Sequence, residues 1–177
     1  SSGPARSRDS MDCTECWPQS RRMDDMIDQV RPSYSYYPGC SLEGSAIEYN
    51  ESTKAVIRAL GIDLVELEDW TCCGASAAEA ISYLLSIVLS ARNLALAQQT
   101  DENADILTPC SACYLNLRRV EEHTKEDDGL LDKINTALGE ERLNYNGAFR
   151  TRHFLDVLAH DIGPETIQAH VKRKLSG

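Results

Sequence analysis

From Ser35 onward, short β-prone runs alternate with longer stretches of helical period. Ser35-Tyr36-Tyr37 is the first such run, ended by Pro38-Gly39. Ser45-Ala46-Ile47-Glu48 has the spacing of a capping box, in which serine accepts from the amide three residues on and glutamate reaches back. The pattern predicts a helix behind it, with Tyr49, Thr53, Val56 and Leu60 on one face and Gly61 as its stop. Residues 62–67 read as a second strand. Ser76-Ala77-Ala78-Glu79 repeats the capping spacing. It opens a long helix whose Ile81, Leu84, Leu85, Val88 and Leu89 lie on nearly all sides, which predicts burial. Residues 104–108 read as a third strand, followed by helices at 111–123 and 130–138. Residues 149–153 read as a fourth strand and 154–160 continue as helix. After Gly163-Pro164 a last helix carries Ile167, Val171 and Leu175.

Strands alternating with helices imply βαβ units, hence an α/β fold with a parallel sheet of about four strands. The polar start differs. Residues 1–10, SSGPARSRDS, read as a vector-derived tag, with Met11 as the native start. Residues 11–33 hold Cys13, Cys16 and Pro18 and read as a loose arm with one short helix at 23–30. The expected organisation is therefore a tag and flexible arm over 1–33 and a single domain over 34–177.

The 177 residues, 42% of them hydrophobic, suffice for one core. A net charge of −10 repels phosphate, which argues against nucleic acid as a partner. The most apolar stretch, 78–97, contains Glu79, Arg92, Asn93 and three serines. It reads as a buried helix, with no direct membrane insertion. Seven cysteines, an odd number, and no secretory signal point away from a disulfide framework and toward a cytoplasmic protein with metal-ligand or redox thiols.

Five cysteines are spaced Cys40-x31-Cys72-Cys73-x36-Cys110-x2-Cys113, since 72 − 40 − 1 = 31 and 110 − 73 − 1 = 36. Each group follows a predicted strand and precedes a predicted helix. In a parallel sheet such connections share the carboxyl edge, where α/β folds bind ligands. Helix starts offer free amides and a dipole that lower thiol pKa, and the thiolate is the form that binds iron. Five thiolates exceed the four that tetrahedral zinc or a cubane cluster takes. An adjacent pair suits a multinuclear cluster, where each sulfur reaches a different iron. Singly, the same residues have plainer readings: buried core filler, a vicinal Cys72–Cys73 disulfide, or a Cys110–Cys113 redox dithiol. Zinc held by four of the five in a non-catalytic module is a further alternative.

Cys13-x-x-Cys16 reads as thiols of the arm, outside the site, the other reading being an extra metal or disulfide pair. His153 closes the fourth strand at the same edge and is a candidate neighbour of the site. His123, His160 and His170 read as surface residues. Pro38-Gly39 and Pro109 read as tight-turn residues beside the cysteines. The acidic runs 66–69 and 121–128 read as solvated surface.

Taken together, Tyr37-Pro38-Gly39-Cys40, Cys72-Cys73-Gly74 and Pro109-Cys110-Ser111-Ala112-Cys113-Tyr114 resemble the cysteine-rich CCG domain, above all the N-terminal one in the B-subunit of heterodisulfide reductase. Ala91-Arg92-Asn93-Leu94-Ala95 and Arg152-His153-Phe154-Leu155 extend the likeness over about 34–158. The resemblance implies a noncubane 4Fe-4S cluster on Cys40, Cys72, Cys73, Cys110 and Cys113. It implies electron transfer to a disulfide substrate, with an iron–sulfur C-subunit plus a flavin A-subunit for partners. Related domains serve quinone- and hydroxy-acid-linked oxidoreductases. In the family two such domains share one polypeptide, with substrate between them, and this chain carries one motif set. The expectation is thus part of an oxidoreductase that needs a second CCG domain or partner subunits. Isolated, it is expected to lose its cluster or take zinc in its place.

Overall fold

The computed structural model describes residues 33–173. The expected tag and arm, with Cys13 and Cys16, the helix expected at 23–30 and Leu175 lie outside the described residues.

Four strands form one sheet: β1 (Ser33–Tyr36), β2 (Asp63–Glu66), β3 (Ile106–Thr108) and β4 (Thr151–His153). All neighbours are parallel and the order is β2-β1-β3-β4. The register aligns Tyr36 with Glu66 and Leu107, and Leu107 with Arg152. Among the described residues the helices are α1 (Cys40–Glu43), α2 (Ile47–Ala59), α3 (Ala77–Ile81), α4 (Tyr83–Thr100), α5 (Ser111–Glu126), α6 (Asp128–Leu138), α7 (Phe154–Asp156) and α8 (Pro164–His170). A 3-10 turn, Gly139–Glu141, follows α6, and a π turn, Val157–Ile162, follows α7.

Because strand side chains alternate, the sheet has two apolar faces. Tyr37, Ile106, Leu94, Leu117 and Ile134 join one core, built with α4, α5 and α6. Tyr34, Tyr36, Leu107, Ile57 and Phe154 join the other, with α2 and α7. The chain steps outward from β1 to β2, then returns past β1 to β3. That reversal makes the gap between β1 and β3 the switch point, the place where open α/β sheets leave a crevice at their carboxyl ends.

The α/β class and parallel sheet are as the sequence predicts, and the differences are local. Neither capping box forms. Ala46 is the N-cap of α2, and Ser76 adopts a left-handed φ of 68° and makes no cap. The long helix is broken at Ser82, whose extended backbone ends α3 and whose hydroxyl accepts from the Leu85 amide to cap α4. Ile81 consequently lies 81% exposed, with Leu84 and Leu85 also exposed. On α2 the buried face is Asn50, Thr53 and Ile57, while Tyr49 and Val56 face out. Asn50 turns inward because its amide oxygen accepts the Tyr36 hydroxyl at 2.7 Å. β4 covers only the last three residues of the expected fourth strand, and the helix expected at 154–160 breaks into α7 and the π turn.

Two surface readings also fail. Glu121 is 1% exposed, ion-paired with Arg118 and accepting the Thr151 amide at 2.7 Å. His123 is half-buried and hydrogen-bonded to the Tyr83 hydroxyl. Among the described residues no helix is long and apolar enough to cross a membrane.

Candidate metal centre

The five cysteines follow β1, β2 and β3. Cys40 opens α1 directly after Gly39, and Cys72 and Cys73 lie in the irregular stretch between β2 and α3. Cys110 is the N-cap of α5 and Cys113 sits in its first turn. Cys113 is thus inside the helix expected from 111, whereas Cys40 is helical where a strand-to-helix loop was expected. All five thiols are free. Cys40 and Cys72 are exposed, Cys110 is half-buried, and Cys73 and Cys113 are buried.

The thiols form a chain of neighbours. Cys40 Sγ lies 3.4 Å from Cys72 Sγ. Cys73 is next in sequence, and Cys113 lies near enough to Cys73 and Cys110 for both to shift its thiol pKa. Gly39 makes this approach possible. At φ 78°, a Cβ built there would stand 2.6 Å from Cys113 Sγ, closer than any side chain tolerates.

Proximity separates the thiols electrically. The neighbouring Cys113 thiol lowers the Cys73 pKa to about 6; burial opposes this, and the Ala75 amide reinforces it. Cys113 is pushed up by Cys73 and by its own burial. Cys72 is raised by burial, against the pull of the Gly74 amide. The general lowering expected at helix starts is therefore confined to Cys73 within this trio, because neighbouring thiols in a desolvated space do not all ionise and one thiolate raises the pKa of the others. Tyr37, fully buried, has its pKa raised first by burial and then by Cys113, Cys73 and Cys72, which it faces.

A polar shell holds the Cys72-Cys73 stretch. Asn93, on α4, accepts the Thr71 amide on Oδ1 (2.8 Å) and donates from Nδ2 to the Thr71 carbonyl (2.9 Å). The Tyr37 hydroxyl donates to the same carbonyl (2.8 Å), and its ring packs edge-on against Trp70. Ser90 of α4 and Asn116 of α5 both donate to the Cys73 carbonyl, at 2.9 and 3.1 Å. Arg92 fixes the segment's entrance by donating to the Asp69 carbonyl and carboxylate (2.6 Å each) and to Glu141 (2.8 Å). Sequence reasoning gave Tyr37, Ser90, Asn93 and Asn116 no role. Their signal was present: Ser86, Ser90 and Asn93 are uncharged polar residues three or four apart on a helix otherwise rich in leucine and alanine.

His153 ends β4 beside the start of α5. Its Nδ1 accepts the Leu155 amide at 3.2 Å, capping α7, and its Nε2 lies 3.5 Å from Ser111 Oγ. The ring meets Tyr114 edge-on with centroids 5.5 Å apart. His153 thus touches the residues that follow Cys110, and one of its nitrogens is used by its own helix.

Among the described residues no group of three or more His, Cys, Asp or Glu side chains is arranged to hold a metal ion. The thiols are strung along a line of neighbours, whereas a mononuclear tetrahedral site needs four donors around one point. Five soft donors with an adjacent pair fit a multinuclear iron–sulfur group better.

Comparison with known proteins agrees with the motif set. Residues 34–118 match the family model of the CCG cysteine-rich domain. The chain is 40% identical over 147 residues to the 8-methylmenaquinol:fumarate reductase membrane anchor subunit of Wolinella succinogenes, covering 83% of this chain and 50% of that protein. It is 27% identical over 145 residues to the heterodisulfide reductase B-subunit-like protein of Archaeoglobus profundus (81% and 48%). It is also 27% identical over 142 residues to a CoB-CoM heterodisulfide reductase B-subunit of Methanosarcina acetivorans (80% and 47%). The chain thus spans about half the length of the curated relatives it matches. In fold it is similar to a hypothetical protein from Helicobacter pylori, with a TM-score of 0.60 at 16% identity over 69% of this chain and 24% of that one.

Proposed function

Residues 34–118 belong to the CCG family of cysteine-rich domains, and on that footing we propose that Cys40, Cys72, Cys73, Cys110 and Cys113 hold a noncubane 4Fe-4S cluster. The observation that carries this reading is the unbroken row of thiol neighbours, Cys40–Cys72–Cys73–Cys113–Cys110, at the carboxyl edge next to the switch point. Bound there, the cluster supplies one-electron chemistry. The protein's part is to present five thiolates from three connections, exclude water on the side of Cys73 and Cys113, and leave the Cys40–Cys72 side open to a partner. The unit would be the cluster-bearing half of a cytoplasmic heterodisulfide-reductase-like oxidoreductase. It would work with an iron–sulfur C-subunit, a flavin A-subunit, and a second CCG domain.

A second reading concerns the electron acceptor. The higher identity is to a subunit named for menaquinol and fumarate, and it favours an electron carrier of a quinone-linked enzyme over disulfide reduction.

The test is anaerobic reconstitution with iron and sulfide. The expected result is iron and sulfide in equal amounts with a paramagnetic reduced or oxidised state; zinc alone at one ion per chain overturns the cluster. Reduced viologen, offered with a disulfide and separately with a water-soluble menaquinone analogue, separates the two acceptors. The isolated chain is expected not to turn over a disulfide, because one wall of the substrate site would be missing. Brisk turnover would overturn the need for a second half.

A further inference from the structure

The grip on the cysteine pair is tighter than folding alone requires. Four side chains place five hydrogen bonds on the tripeptide Thr71-Cys72-Cys73, which has no regular secondary structure. Tyr37, Ser90 and Asn93 are 0% exposed and Asn116 is 5% exposed. One donor satisfies a buried carbonyl, yet the Thr71 and Cys73 carbonyls each receive two.

The consequence is directional. In a trans peptide the carbonyl and the following amide point opposite ways, and no peptide bond among the described residues is cis. With the Cys73 carbonyl drawn into the core by Ser90 and Asn116, the Gly74 amide is turned the opposite way, and it pulls the Cys72 thiol pKa down against the effect of burial. Gly74 itself, at φ 78°, lies against Ala78, Leu89 and Ser86, where a Cβ would stand 3.0–3.2 Å from them, tighter than ordinary contact. The peptide is thus fixed on both sides, by donors on its oxygen and by α4 packing on its glycine.

We propose that Ser90 and Asn116, with Asn93 and Tyr37 anchoring the residue before the pair, are positioning residues that aim the Gly74 amide at the thiolate sulfur of Cys72 and so raise the reduction potential of the metal centre. The proposal rests on the cluster reading above. An amide donating to a ligand sulfur offsets the negative charge that reduction adds, so the reduced state is favoured. Ser90 and Asn116 bond the Cys73 carbonyl and no sulfur. They act through one peptide plane.

The experiment measures the midpoint potential of the reconstituted full-length chain by dye-mediated titration followed by electron paramagnetic resonance. The variants are Ser90→Ala and Asn116→Leu. Asn135→Ala removes a chemically similar amide clamp from the Tyr145 backbone and serves as control. Ser90→Ala leaves Asn116 as the second donor, so the folded state should persist even if Asn116→Leu does not load. The expected result is a lower potential in both site variants, on the order of tenfold in the redox equilibrium constant, or about 59 mV for a one-electron couple. Asn135→Ala should lower the melting temperature and leave the potential in place. Loaded site variants with wild-type potential overturn the inference while the cluster reading stands. An equal shift in Asn135→Ala also overturns it, by reducing the effect to general loosening. A wild-type chain that takes up no iron overturns the reading and the inference together.

Discussion

At Thr71 and at Tyr145 an asparagine side chain pinches the backbone in the same way. Asn93 bonds the Thr71 amide and carbonyl, and Asn135 bonds the Tyr145 amide (2.8 Å) and carbonyl (3.0 Å). Both stretches are irregular, and both would bury unpaired backbone groups without the clamp. The surroundings differ. The Tyr145 stretch leads from Leu143 to Phe149, all three side chains are buried in the apolar core, and Gln98 holds the neighbouring Asn146 amide. The Thr71 stretch carries two cysteines, is held by three further polar side chains, and faces three more thiols. A polar clamp in a core is a general means of shaping irregular backbone. It serves a site only where the shaped backbone carries reactive groups at the sheet's carboxyl edge.

The sharpest break of that comparison is Cys113→Ser. Cys113 stands between Cys73 and Cys110 and against Gly39, and a serine hydroxyl is a poor ligand for iron. Iron and sulfide bound after reconstitution are expected to fall to near zero while the far-ultraviolet circular dichroism stays native. Retention of the cluster would remove Cys113 from the ligand set. Next comes Gly39→Ala against Gly147→Ala. Both glycines have φ near 80°, so each alanine costs about 1–2 kcal/mol in backbone strain. Only at Gly39 does the new methyl also strike a sulfur; at Gly147 the nearest atom is a Leu131 methyl at 3.8 Å. Gly39→Ala should lose stability and iron together, and Gly147→Ala should lose a little stability and no iron.

Asn135→Ala is expected to cost about 2 kcal/mol for the two backbone groups left unpaired, and Asn93→Ala somewhat less, because the Thr71 carbonyl keeps its bond from Tyr37 and only the Thr71 amide loses its partner. For a domain of this size the larger cost is roughly a 4–8 °C fall in melting temperature by calorimetry. Iron content should fall only in Asn93→Ala; equal loss in both would erase the distinction between the two clamps. The smallest effect is expected from Tyr37→Phe. It removes the second donor to the Thr71 carbonyl and leaves Asn93 in place, so denaturant titration should show about 1 kcal/mol or less.

Much of this region was legible in the sequence for identifiable reasons. The strands β1, β2 and β3 are short β-prone runs rich in Tyr, Val, Ile and Leu, and local propensity marks them well. The cysteines stood out because their side-chain chemistry has few structural uses at that spacing. The clamps were not legible. Asn93 and Asn135 look alike in sequence, and nothing local says which backbone each will meet. The capping boxes misled for a related reason. Ser76 has the right neighbours, but the turn at Gly74-Ala75 rotates it to a positive φ, and Ser82 takes the cap of the next helix instead.

What the sequence determined by itself was the alternation of strand and helix, hence a parallel sheet, and the set of five thiols on connections that must share one edge. Period and turn chemistry act over a few residues, so they can be read without the fold. The tertiary structure alone decided the strand order β2-β1-β3-β4, which puts Cys40 and Cys110 on either side of the switch point. It also decided that the thiols run as a row of neighbours, and that Cys73 is lowered while Cys113 is raised. Those features depend on which groups meet across 30 residues or more of chain, where Coulomb energy, desolvation and hydrogen bonding respond to distance and burial in space. Separation along the sequence carries no such information, so the pairing of Ser90 and Asn116 on one carbonyl could appear only once α4 and α5 were packed.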